Sequence, residues 1–160
     1  MKNILFVCSA NRFRSVIAAE YFRHLLEEKH LDQAFEVGSA GVWAVDGEPP
    51  VREAIQFGRT RQLDLEPHRS RETTRQIITV ADLIVVMSDG QKESISLEFP
   101  EAADRIFLLS DICTGEIYDI PDPILTTDDT PEVVGTEICS LLDTGFEKIL
   151  QSAATPKKLQ

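Results

Sequence analysis

No stretch of the 160 residues approaches the ~20 consecutive apolar positions that span a bilayer. The opening Met1-Lys2-Asn3 leads into five apolar residues before Ser9 and Asn11, too few for a signal-peptide core. The expectation is a cytoplasmic chain without membrane contact. Cysteine is scarce: Cys8, Cys113 and Cys139 are odd in number and widely separated, which excludes a disulfide framework and suits a reducing compartment. None stands at metal-ligand spacing from another cysteine or a histidine, so no metal is expected. Basic residues run short where they would matter for nucleic acid. Residues 1–75 hold eleven basic and eleven acidic side chains, residues 76–160 five basic and sixteen acidic, so the net charge of −11 sits wholly in the second half. A polyphosphate partner needs a broad basic surface, and nucleic acid is therefore excluded as a partner.

What the chain does have is a composition of 42% hydrophobic and 27% charged residues, enough for one two-sided core and too short for two ordinary domains. Asn3–Val7 is a short apolar run of strand type, and residues 15–30 carry a helical stripe of Val16, Ile17, Ala19, Tyr21, Leu25 and Leu26. A second strand over Ala34–Val37 leads into Gly38-Ser39-Ala40-Gly41 and a glycine- and proline-containing loop to Pro50. Helices are predicted over 51–62 and 71–80, a central strand over Asp82–Met87, a helix over 90–97, a strand over 105–109 and a last helix over 131–150 opened by Pro131. Strands alternating with helices predict an α/β fold, a parallel sheet with helices on both faces. The domain is placed at residues 1–151, with 152–160 as a flexible tail.

Between the first strand and the first helix lies Cys8-Ser9-Ala10-Asn11-Arg12-Phe13-Arg14-Ser15. A loop that leaves a parallel strand and opens a helix aims backbone N–H groups and the positive helix end at one point, which binds an anion and favours a thiolate. Cys8 starts that loop. Arg14 at its far end can present two parallel N–H groups to phosphate oxygens, a geometry lysine lacks. Asn11 falls mid-loop, where a left-handed residue serves the curl and asparagine tolerates that conformation.

These residues resemble the low-molecular-weight protein tyrosine phosphatases, whose loop reads Cys-x-Gly-Asn-x-Cys-Arg-Ser-Pro and is matched at Cys8, Asn11, Arg14 and Ser15. The resemblance continues through Ser39-Ala40-Gly41, Gly47 and Pro49, His68-Arg69-Ser70-Arg71, the strand ending at Met87, and Asp122-Pro123. It implies a single-domain, four-stranded parallel sheet flanked by helices, with no metal or organic cofactor and a phosphotyrosine-bearing protein as substrate. It also implies that Cys8 attacks phosphorus, that Arg14 and the loop from Ser9 to Phe13 hold the phosphate, and that Asp122 protonates the leaving phenolate and then activates water. By the same resemblance Ser15 donates to the thiolate, while Asn11, Ser39 and His68 brace the loop. Asp119 is the neighbouring carboxylate that competes for the acid role.

The chain departs from the pattern at Ala10, Phe13 and Val16, which replace the glycine, the second cysteine and the proline. Ile124 and Leu125 stand where relatives carry an aromatic pair, so with Trp43 they predict an apolar cleft wall less suited to ring stacking. Three rival activities share the scaffold or the loop. Arsenate reduction uses two further cysteines a few residues apart, and Cys113 and Cys139 are 26 positions apart. Phospho-arginine hydrolysis is the second, and the family residue that bears on it is at position 12, where Arg12 matches neither usual option. A non-catalytic phosphate-binding module, the third, needs neither Cys8 nor Asp122. Arg12 itself is expected at the cleft rim, where it attracts acidic flanks of a substrate or pairs with one of the chain's own carboxylates.

Overall fold

The computed structural model describes residues 1–158. Four parallel strands, β1 (Lys2–Cys8), β2 (Phe35–Gly41), β3 (Leu83–Val86) and β4 (Ile106–Leu108), form one sheet in the order β2-β1-β3-β4. Six α-helices accompany them: α1 (Arg14–Glu28), α2 (Arg52–Thr60), α3 (Arg75–Val80), α4 (Asp89–Glu98), α5 (Leu109–Thr114) and α6 (Pro131–Ala154).

The continuous apolar runs of β1 and β3 follow from burial on both sides. Ile4, Phe6 and Cys8 of β1, with Leu83 and Val85 of β3 and Met87 beyond it, join the core under α1 and α6. Leu5, Val7, Ile84 and Val86 point the other way, into a second cluster with Ile78 of α3 and Ile95 of α4. Phe22 of α1 sits between Phe6 and Phe146, at ring-centroid distances of 5.7 and 5.1 Å, and ties β1, α1 and α6 together. Fully burying a side chain of this size is worth about 1.5–3 kcal/mol. Among the described residues no helix is long and apolar enough to cross a membrane.

Several elements differ from the pattern read in the sequence. Strand β2 continues to Gly41 because Gly38–Gly41 pair in register with Leu5–Cys8. Its free edge is covered by Arg23, which donates to the Val37 carbonyl at 2.6 Å, and by Arg71, which donates to the Ser39 carbonyl at 2.9 Å. The helix expected from Arg71 begins at Arg75 instead, with Thr74 as its cap, accepting from the Ile77 N–H at 3.3 Å. Upstream of it Arg71 accepts from the Gly41 N–H, and Thr73 donates to the Gly41 carbonyl, so this segment is extended and held to the end of β2. Helix α5 and a 3-10 turn over Pro100–Arg105 are additional elements, short and without a clear apolar period that would mark them in the sequence. The last helix runs to Ala154 with Ala153 fully buried, so the fold extends past residue 151. Leu159 and Gln160, part of the expected tail, lie outside the described residues.

Candidate active site

In a sheet of order β2-β1-β3-β4 the chain reverses direction of growth between β1 and β3, and the crevice at the carboxyl ends of those strands is where ligands bind in such folds. The loop from Cys8 to Arg14 lies at that point. Helix α1 opens behind Phe13 without any side-chain cap and with no acidic residue in its first turn. Its first backbone N–H groups therefore have no competitor for an anion.

Asn11 organises the loop. Its φ is 57°, it is fully buried, and every polar group of its side chain is engaged. Nδ2 donates to Ser15 Oγ at 2.8 Å and to Ser39 Oγ at 3.0 Å, and Oδ1 accepts from the Arg71 N–H at 3.0 Å. The Asn11 carbonyl accepts from His68 Nε2 at 2.8 Å, which fixes that ring nitrogen as the protonated one. Burial holds His68 below its ordinary pKa, against the opposing pull of the Asn11 carbonyl. Ser15 Oγ in turn lies 3.0 Å from Cys8 Sγ. Gly41 is required beside the loop for close approach, since a Cβ there would stand 2.4 Å from the Ser9 carbonyl oxygen and 2.9 Å from the Asn11 nitrogen. The segment after it runs against the loop, Val42 donating to the Cys8 carbonyl and Trp43 to the Ser9 carbonyl.

Arg14 is 5% exposed. Its Nη1 donates to the Ile120 carbonyl at 2.9 Å, and its Nη2 stands 3.7 Å from Asp122 Oδ2. Ile120 is itself anchored, donating to the Met87 carbonyl at 2.8 Å. The two carboxylates read as competitors have different settings. Asp119 Oδ1 accepts from the Asp89 N–H at 2.9 Å and so serves the start of α4. Asp122 Oδ1 accepts from the Ile124 N–H at 3.0 Å, which leaves Oδ2 as the oxygen turned toward Arg14.

The structure thus gathers Cys8, Asn11, Arg14, Ser15, Ser39, His68 and Asp122 around one loop. Phe13 is buried in the main core, whereas Ala10 is exposed. Arg12 is bound on both sides to the Pro49 segment: its Nε donates to the Pro49 carbonyl at 2.8 Å and its own carbonyl accepts from the Val51 N–H at 3.0 Å. Trp43, Ile124 and Leu125 are 75, 44 and 81% exposed, on the two segments that flank the loop. Cys113 and Cys139 are buried in the α5–α6 region, and burial pushes both thiols up to about 12. No three histidine, cysteine or acidic side chains come together as a metal cluster among the described residues.

Gln91 joins the site although nothing in the sequence marks it as part of the loop. This residue is 4% exposed, and its Nε2 donates to Ser9 Oγ at 3.2 Å across 82 positions of sequence. Only the Ser88-x-x-Gln91 capping pattern was there to find, and it signals a helix start and says nothing of the loop. Ile120 is likewise unmarked, because it acts through its carbonyl.

The low molecular weight phosphotyrosine protein phosphatase family matches residues 3–159. A protein-arginine-phosphatase of Geobacillus stearothermophilus is 34% identical over 146 residues, covering 91% of this chain and 95% of the relative. A probable low molecular weight protein-tyrosine-phosphatase of Ralstonia solanacearum is 32% identical over 123 residues, covering 77% and 79%. Among solved structures, the T. tengcongensis low molecular weight protein tyrosine phosphatase superposes with a TM-score of 0.85 at 30% identity, over 92% of this chain and 99% of its own. The G. stearothermophilus arginine phosphatase does so with a TM-score of 0.83 at 32% identity, over 94% of each.

Proposed function

Because this chain belongs to the low molecular weight phosphotyrosine protein phosphatase family, we propose that it hydrolyses phosphotyrosine in proteins through a phospho-cysteine intermediate. The observation that carries the reading is the chain of contacts Cys8 Sγ–Ser15 Oγ–Asn11 Nδ2, set at the mouth of an uncapped helix with Arg14 at the loop's end. In the first step the Cys8 sulfur attacks phosphorus, the S–P bond forms and the P–O bond to the tyrosine oxygen breaks. Asp122 gives its proton to that leaving oxygen. In the second step water attacks phosphorus, the S–P bond breaks, and the water proton passes to Asp122, restoring both groups.

Arg14 supports the step by geometry. With Nη1 held by Ile120, its Nη2 edge is the one presented to the phosphoryl oxygens, and Asp122 Oδ2 stands on that same edge. Phosphate and acid are thereby brought to one side of the guanidinium, as proton transfer to the leaving oxygen requires. Backbone N–H groups of the loop supply the remaining donors for the equatorial oxygens. Trp43, Ile124 and Leu125 form the apolar flanks of the cleft, and the cytoplasm is the proposed place of action.

Phospho-arginine is the second reading, favoured by the 34% identical arginine phosphatase. The guanidinium of Arg12, clasped to Pro49 beside the loop, weighs against it, since a phospho-arginine side chain carries positive charge to the same rim. The test measures turnover of p-nitrophenyl phosphate, a phosphotyrosine peptide and a phospho-arginine peptide by the wild type and Cys8→Ser, without added metal. Turnover of the aryl phosphates that vanishes in Cys8→Ser is expected. Undiminished activity in that variant refutes the mechanism, and a higher specificity constant for the phospho-arginine peptide exchanges the substrate.

A further inference from the structure

Within the phosphate-binding reading of the Cys8–Ser15 loop, on which this inference rests, we propose that the Ser9 hydroxyl is an additional donor to the bound phosphoryl group. Gln91 is the positioning residue that turns it there.

The orientation of the Gln91 amide follows from its partners. Its Oε1 accepts from two backbone donors, the Met87 N–H at 2.9 Å and the Ser88 N–H at 3.1 Å. Two donors on one atom identify that atom as the oxygen, so the NH2 group faces the other way, toward Ser9 Oγ at 3.2 Å. Ser9 Oγ is consequently the acceptor of this bond, and its own proton is excluded from the direction of Gln91. Among the described residues the Ser9 hydroxyl finds no acceptor of its own. Ser9 directly follows Cys8, and its carbonyl is pinned by the Trp43 N–H at 2.9 Å. A hydroxyl that is oriented, polarised by a donor and left with its proton free is suited to a charge-assisted bond with a phosphate oxygen.

The same side chain sets Ser9 relative to Arg14. Met87, whose N–H is held by Gln91, gives its carbonyl to the Ile120 N–H at 2.8 Å, and the Ile120 carbonyl holds Arg14 Nη1 at 2.9 Å. Ser9 and Arg14, at opposite ends of the loop, are thus tied through the end of β3. Gln91 also completes the capping box with Ser88, but that role uses its backbone N–H and its oxygen. The Nε2 bond to Ser9 adds nothing to the cap and is the part that reports on the anion.

The experiment determines the dissociation constant of inorganic phosphate by calorimetry for the wild type, Ser9→Ala, Ser9→Thr, Gln91→Met and the Ser9→Ala/Gln91→Met double variant. Urea unfolding is run in parallel. Ser9→Ala and Gln91→Met are each expected to weaken phosphate binding roughly three- to tenfold. Ser9→Thr, which keeps the hydroxyl, should stay within about twofold of wild type, and the double variant should lose clearly less than the product of the two single losses, the remainder being what Gln91 contributes through Met87 and Ile120. Gln91→Met should lower the urea midpoint more than Ser9→Ala, which leaves the buried Gln91 amide without its acceptor but keeps the cap intact. Phosphate affinity unchanged in Ser9→Ala overturns the proposal, as does a double variant whose losses multiply in full, since Gln91 would then act only through the helix cap and the Met87–Ile120 tie to Arg14 and not through Ser9. Because binding is read and not turnover, an aryl-phosphate-inactive protein showing the Ser9 effect keeps this inference while refuting the catalytic one. A wild type that binds no phosphate refutes the site itself.

Discussion

Asn11→Ala removes the residue on which the loop is built, and its cost can be worked from the contacts. Three side-chain hydrogen bonds are lost, to Ser15 Oγ, Ser39 Oγ and the Arg71 N–H, at 2.8, 3.0 and 3.0 Å. At about 1 kcal/mol net for each buried bond, this amounts to about 3 kcal/mol. The φ of 57° adds a backbone penalty for alanine of about 1 kcal/mol that asparagine largely escapes. The expected destabilisation is therefore about 4 kcal/mol, a large share of the 5–15 kcal/mol that holds a typical domain folded. Asn11→Gly loses the same three bonds but meets no penalty at positive φ, so it should be about 1 kcal/mol more stable than Asn11→Ala. Urea unfolding of the two variants and the wild type measures both differences. Turnover of an aryl phosphate should fall on the order of 10²-fold in each, because Ser15 and Cys8 lose their fixed positions. An alanine variant within about 1 kcal/mol of wild type, or one as stable as the glycine variant, refutes the reasoning.

Three further outcomes are expected. Asp122→Ala should lower turnover by roughly 10²-fold or more, most for poor leaving groups, while Asp119→Ala, which removes only the bond to the Asp89 N–H, should cost stability and little rate; steady-state kinetics giving the reverse order exchange the two residues. His68 is held below its ordinary pKa by burial, so between its folded value and about 6.5 the unfolded chain binds more protons than the folded one, and stability falls as pH drops through that window. His68→Gln should flatten this part of the stability–pH curve, and an unchanged slope in urea titrations would show that other groups produce it. Peroxide should carry Cys8 to sulfinic acid, since Phe13 occupies the place of a trapping cysteine and burial pushes Cys113 and Cys139 up to about 12. Mass spectrometry finding a disulfide from Cys8 to either as the main product contradicts this.

The sequence by itself determined the features whose causes are local. The apolar runs at Ile4–Val7 and Leu83–Met87, too short for helices and bounded by polar residues, read as strands covered on both faces. The eight residues from Cys8 to Ser15 carry the proposed anion-binding loop within one contiguous segment, and Asn11 stands out there by its tolerance of positive φ. Tertiary structure alone decided what depends on residues distant in sequence. Strand β2 reaches Gly41, despite a weak strand-forming composition, because β1 pairs with it and Arg23 and Arg71 cover its edge. The sequence pattern places Arg71 at the start of a helix over 71–80, yet its backbone holds Asn11 and Gly41. Asp119 and Asp122 cannot be told apart by composition; they differ because one faces the first turn of α4 and the other the Arg14 guanidinium. Gln91 reaches Ser9 only because β1 and β3 lie side by side with their carboxyl ends together. A hydrogen bond needs its partners within about 3 Å, and no periodicity or propensity along the chain encodes a distance between residues that the fold alone makes neighbours.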